Sequence, residues 1–159
     1  VVFSRTEAQA PAAGVAPVPI PDSPGTNYSW PMVLALEVTA TDATTISNRR
    51  IYHSGSGAAN VALWFGALAA YRQSAVGLKP PDVGTQPLTA PTPTGAGAPG
   101  AYTLMSTTPQ LYDNTGVSAG ATGVNGAYVE LVAGVDSNYT GGSGRPTVGG
   151  AVSVSYDEV

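Results

Sequence analysis

Apolar residues in this chain alternate with small or polar ones in short runs, and glycine or proline interrupts the chain between runs. Residues 32–41 read M-V-L-A-L-E-V-T-A-T, with Leu34, Leu36, Val38 and Ala40 on one parity and Val33, Ala35, Glu37 and Thr39 on the other. A period of two is the spacing of a strand with one buried face. Strands are likewise expected over 45–54, with a break at Asn48, and over 60–65. Ala67 to Arg72 has helical propensity, and pattern alone leaves it open between strand and short helix. Further strands are expected over 102–107, 109–112, 126–135 and 148–156. No amphipathic helix of about 12 residues or more can be read. The sum predicts a mostly β fold: an antiparallel β-sandwich, Ig-like or jelly-roll-like, or a small barrel, over residues 31–159.

Two proline-rich stretches stand outside this pattern. Residues 1–30 carry Pro11, Pro17, Pro19, Pro21 and Pro24, which suit neither a helix interior nor a central strand. They predict an extended arm, either a loose tail or a strap along a neighbouring subunit. At about 3.1 Å per residue such an arm reaches far beyond its own domain. Val15, Tyr28 and Trp30 are its candidate anchors, and removal of residues 1–28 is expected to leave the domain folded. Residues 77–100 form a second such stretch, long for a loop in a compact domain, and predict an interaction loop or a disordered tip.

Charge narrows the function. Only 10% of the residues are charged, Lys79 is the single lysine, and the net charge is −4. An ordinary soluble domain carries about 25%. Nucleic-acid partners are therefore not expected, because phosphate binding needs a basic stripe. So uncharged a surface is expected to be covered by other subunits. Cysteine is absent, which excludes disulfides, thiolate metal sites and a cysteine nucleophile. No apolar run approaches the roughly 18 residues of a membrane-spanning helix, so no membrane partner is expected. The opening Val-Val-Phe-Ser-Arg-Thr-Glu lacks a basic segment before an apolar one and reads as a cytoplasmic start.

Catalytic candidates are few. His53 is the one histidine, and no Gly-x-Ser-x-Gly elbow accompanies it. Glu37 and Glu130 fall in predicted strands, where solvated faces are their expected place. Asp136-Ser137-Asn138 resembles the start of a calcium loop without the later glutamate. Gly141 to Arg145 lacks the lysine of a phosphate cradle. No catalytic residue, metal or cofactor is assigned. Asn48-Arg49-Arg50 is the conspicuous basic cluster. Alternation sends Arg49 and Arg50 to opposite faces, so at most one reaches the core side. That one is expected to pair with Glu37 or Glu130; a contact with a neighbouring subunit is the other reading for these arginines.

Three features resemble the small virion proteins of tailed bacteriophages. They are the block Leu34 to Thr45 followed by Ile46-Ser47-Asn48-Arg49-Arg50-Ile51-Tyr52, the segments Gly-Val-Asn-Gly-Ala-Tyr-Val at 123–129 and Gly-Val-Asp-Ser at 134–137, and the cysteine-free, Ala/Gly/Pro/Thr-rich composition with its arm. The resemblance implies a non-enzymatic homo-oligomer, assembled in the host cytoplasm and carried in the virion. Its partners would be major capsid or tail proteins and copies of itself. A capsid decoration or cement role comes first, and a tail, neck or baseplate subunit second. A carbohydrate-binding or adhesive β-module, with Tyr28, Trp30, Tyr71, Tyr102 and Tyr139 as its aromatic platform, stays open as an alternative. So does an enzyme built on a β-sandwich, for which no carboxylate cluster can be read.

Overall fold

The computed structural model describes residues 2–5, 26–29, 31–38, 45–54, 60–72, 90–93, 95–118, 123–139 and 151–158. Ten strands run in chain order: β1 Val2–Arg5, β2 Thr26–Tyr28, β3 Met32–Val38, β4 Thr45–Ser54, β5 Val61–Leu68, β6 Thr103–Leu104, β7 Gln110–Asp113, β8 Val117–Ser118, β9 Gly123–Asp136 and β10 Ala151–Glu158. They form two antiparallel sheets, with no helix among the described residues and no closed barrel. The larger sheet has the order β1-β3-β9-β5-β6, with β2 also on β9, and the smaller has β10-β4-β7, with β8 also on β4.

Strand β9 is the spine of the larger sheet. Along one edge it pairs with β3 and then β2; along the other it pairs with β5 from Val61↔Val135 to Leu68↔Tyr128. Pro31 has no N–H to donate, and the chain passes from β2 to β3 there. Ser29 bridges the gap, donating its N–H to the Ala133 carbonyl at 2.7 Å and accepting the Ala133 N–H on Oγ at 2.9 Å.

One face of this sheet and the smaller sheet share a core. Phe65, Val129 and Leu131 from the larger sheet meet Ile51 and Tyr112 from the smaller, with Met105 between them and Leu34, Leu63, Val152 and Val154 around them. The opposite face is also buried. Tyr28, Trp64, Tyr102 and Val132 form a second cluster there, with the Tyr28 and Trp64 rings edge to face at 5.7 Å. Glycine makes room for this layer. A Cβ on Gly134 would stand 2.6 Å from the Trp64 ring, and one on Gly66 would stand 2.5 Å from Pro99. The end of the proline-rich 77–100 stretch therefore lies flat on the sheet at Gly66.

Several expectations change. Val61–Leu68 is strand throughout, because backbone pairing to β9 overrides the helical propensity of its last residues. The 1–30 arm is described only near its ends, and both ends pair within this chain: Val2–Arg5 with β3 and Thr26–Tyr28 with β9. Glu130 does not face solvent; it is fully buried.

Candidate functional site

The break expected at Asn48 is a bulge inside a continuous β4. Asn48 has φ +48°, in the left-handed region that asparagine tolerates better than most residues. On the β10 side Ser47 pairs with Asp157 and Arg50 with Ser155, so Asn48 and Arg49 together oppose Tyr156. On the other side Arg49 pairs with Asp113 and Arg50 with Leu111, leaving Tyr112 as the extra residue of β7. Bulges re-aim side chains. Here two of them side by side turn both Arg49 and Tyr112 to the interior.

Arg49 is 0% exposed, although the partner expected for a buried arginine was Glu37 or Glu130. Its partner is Asp113. Nη2 donates to Asp113 Oδ2 and, at 3.3 Å, to the Thr115 carbonyl, while Asp113 Oδ1 accepts the Thr115 N–H at 2.7 Å. Nε and Nη1 of Arg49 and the Tyr112 hydroxyl are buried and make no hydrogen bond among the described residues. Burial pushes the Tyr112 phenol up to about 12, so it is a neutral hydroxyl at ordinary pH. A cavity of about 280 Å³ opens beside this cluster, lined by Ala67, Ala69, Tyr112, Asp113, Thr115 and Tyr128 among others. Tyr128 also packs on Tyr71, ring centres 6.0 Å apart, and Tyr71 is partly exposed.

Arg50 points the other way, to the surface. Its Nη1 donates to Asp157 Oδ1 at 2.7 Å and its Nη2 to Oδ2 at 3.1 Å, and Asn48 Nδ2 donates to Oδ2 at 2.7 Å. The Arg50 and Asn48 hydrogen bonds hold the Asp157 carboxyl at about 2, below the usual carboxylate range.

A second buried ion pair fastens the outer layer of the larger sheet. Arg72 grips Glu130 with Nε to Oε2 at 2.6 Å and Nη2 to Oε1 at 2.8 Å, and the Tyr102 hydroxyl donates to Oε1. Arg72 Nη1 also reaches the Ala96 carbonyl at 3.4 Å, which ties down the last part of the proline-rich loop. Burial and, after it, the Glu130 carboxylate hold the Tyr102 phenol well above its ordinary value.

The five residues proposed as interface contacts therefore separate. Val15 and Trp30 lie outside the described residues. Tyr28 and Arg49 are buried inside their own chain, against Trp64 and with Asp113. Arg50 keeps surface. Of the aromatic platform residues, Tyr28 and Tyr102 are buried and Tyr71 is exposed. Sequence reasoning passed over Arg72, Tyr102, Tyr112 and Asp113 as a polar framework. One signal was available: Ile46 and Ile51 are both buried, and an odd spacing between two inward residues requires a bulge between them.

His53 hydrogen-bonds through its backbone N–H to the Ser106 carbonyl at 3.0 Å; its Nδ1 is buried without a hydrogen-bond partner among the described residues. Among the described residues no group of three His, Cys, Asp or Glu side chains converges as a metal site would require. Comparison with protein families, with characterised proteins and with solved structures finds no match to this chain.

Proposed function

We propose that this chain is a non-enzymatic structural subunit of a virion, first of all a decoration protein that docks on the shell. We read its two sheets as the halves of a β-sandwich, which the core shared by Ile51, Tyr112, Phe65, Val129 and Leu131 supports. The observation that carries the functional reading is the disposition of charge. Arg49, Arg50 and Arg72 are each held by a carboxylate of the same chain, in a sequence with six cationic residues in all. Half of the cationic residues are thus engaged within the chain, which is only 10% charged as a whole, while Leu104 and Leu111 are more than half exposed. Protein–protein contacts favour such surface, since interface centres are depleted of charge. Many copies on a lattice would add weak contacts into stable attachment.

Quantitative mass spectrometry of purified particles tests this by counting the chain against the major shell protein. Hundreds of copies per particle support decoration, and a few to tens move the chain to the tail, neck or baseplate. Its absence from particles refutes the virion reading.

A further inference from the structure

Open strand edges invite pairing with other chains, and proteins keep such edges short, bulged, charged or broken by proline. Three outer strands of these sheets follow that rule. β6 has two residues, β1 has four and ends in Arg5, and β7 has four, with a bulge in its register and Asp113 at its end. β10 does not follow it. It has eight residues and pairs with β4 alone among the described residues. Its bulge and its two charges, Asp157 and Glu158, are gathered at the C-terminal end. Residues 151–155, A-V-S-V-S, carry no charge, no proline and no bulge.

The backbone facing of this stretch follows from two hydrogen-bond observations. Ala151 turns its N–H and C=O toward β4, where the Ser54 hydroxyl meets both at 3.3 Å. Opposite Val152, the His53 N–H turns away from β10 to the Ser106 carbonyl. Both set the same phase, and antiparallel pairing alternates it along the strand. Ser153 and Ser155 therefore face β4 with their backbone groups, while the N–H and C=O of Val152 and Val154 point out from the edge. The side chains divide across the sheet. Val152 and Val154 pack on the core, so Ser153 and Ser155 lie on the outer face.

We infer that residues 151–155 pair antiparallel with the same residues of a second copy of this chain, about a two-fold axis at Ser153. In that register Val152 of each copy opposes Val154 of the other, and the two exchange both backbone hydrogen bonds. Valine meets valine on the core side and serine meets serine on the outer face. The stretch is thus self-complementary, as a two-fold contact requires, and the four-stranded sheets of the two copies join into one. Charge selects the antiparallel sense. Asp157 and Glu158 of each copy run toward the start of the other copy's strand, where the sequence is uncharged from Thr147 to Val154. Parallel pairing would set the Asp157 carboxylates side by side. Such a dimer needs no shell, so it stands or falls separately from the decoration role.

The test is sedimentation velocity of the full chain across a concentration series, with amide hydrogen exchange followed by NMR on the same samples. The expected result is a reversible dimer in which the amides of Val152 and Val154 gain protection as the dimer fills. Ser153→Lys sets two like charges against each other at the axis and should weaken the dimer by about tenfold or more. Ser153→Thr keeps the site neutral and β-branched and should leave the dimer intact. A chain that stays monomeric throughout overturns the inference. So does a dimer that Ser153→Lys leaves as tight as the parent. Should Ser153→Lys fail to fold, the parent's exchange decides: a dimer whose Val152 and Val154 amides exchange as fast as in the monomer also overturns it. Protection of those amides only when purified shells are added would give the edge to a strand of the shell protein and refute pairing between copies.

Discussion

Replacing Glu130 by glutamine keeps the shape of the side chain and removes its charge. Glu130 is 0% exposed and Arg72 8% exposed, so the arginine would be left charged and buried with an amide where it had a bidentate carboxylate. Breaking one side of a buried pair costs about 3–5 kcal/mol. Domains of this kind hold together by about 5–15 kcal/mol, so the single change removes a large share of the margin. At about 2–4 °C per kcal/mol for this chain length, the Tm should fall by roughly 6–20 °C. Urea unfolding followed by tryptophan fluorescence is a suitable assay, because Trp64 sits in the same outer layer. Tyr102 and the Ala96 carbonyl depend on the same two residues, so the loss should spread to the loop at 95–100 and expose it to protease. The double replacement Glu130→Met with Arg72→Met removes both charges and should recover most of the loss, since a well-packed apolar pair is often as stable as a buried ion pair. A Glu130→Gln variant destabilised by less than about 1 kcal/mol would refute this reasoning. It would mean that water reaches Arg72 and that the outer layer is not closed over the sheet.

Four other outcomes follow from the same geometry. Gly66→Ala drives a methyl group to 2.5 Å from Pro99 and should cost about 1–3 kcal/mol, read by thermal unfolding, with the loop at 95–100 more open to protease than in the parent. Removing residues 1–28 takes away both β1 and β2 and strips Tyr28 from Trp64; the truncated chain should lose about 3–5 kcal/mol or more, the scale of losing one buried aromatic, in place of the intact domain expected from sequence. The phenols of Tyr102 and Tyr112 lie above the ordinary value in the folded chain, so their contribution to stability is complete below about pH 10 and declines as pH rises through the folded values; in an ultraviolet titration near pH 11 both should stay protonated until the chain unfolds. Asp157, held at about 2 against an ordinary 3.8, contributes stability that is present above pH 3.8 and is lost as pH falls toward 2; because its side chain is 43% exposed, salt should weaken the effect, and a carboxyl titration by carbon NMR at low and high salt measures it.

Much of the backbone was legible in the sequence because it rests on local chemistry. Alternation placed β3, β4, β9 and β10 close to where they form, since side chains on a pleated strand must divide between two faces. The opposite facing of Tyr128, Glu130 and Val132 against Val129, Leu131 and Ala133 followed from the same rule. What alternation cannot state is whether one face of a sheet or both will be covered. That depended on a loop returning from residues 95–102 and on β2 arriving from the N-terminal side, and it turned Glu130 from an expected surface group into the best-shielded carboxylate among the described residues. The partners of the arginines were hidden for the same reason. Arg49 meets Asp113 across 64 residues of sequence, and Arg72 meets Glu130 across 58. Single-sequence patterns carry no register over such distances, and register decides which charges meet. The sequence by itself therefore determined a β chain poor in charge. The tertiary structure decided which of its few charges would be buried in pairs, and where two bulges would turn Arg49 and Tyr112 inward.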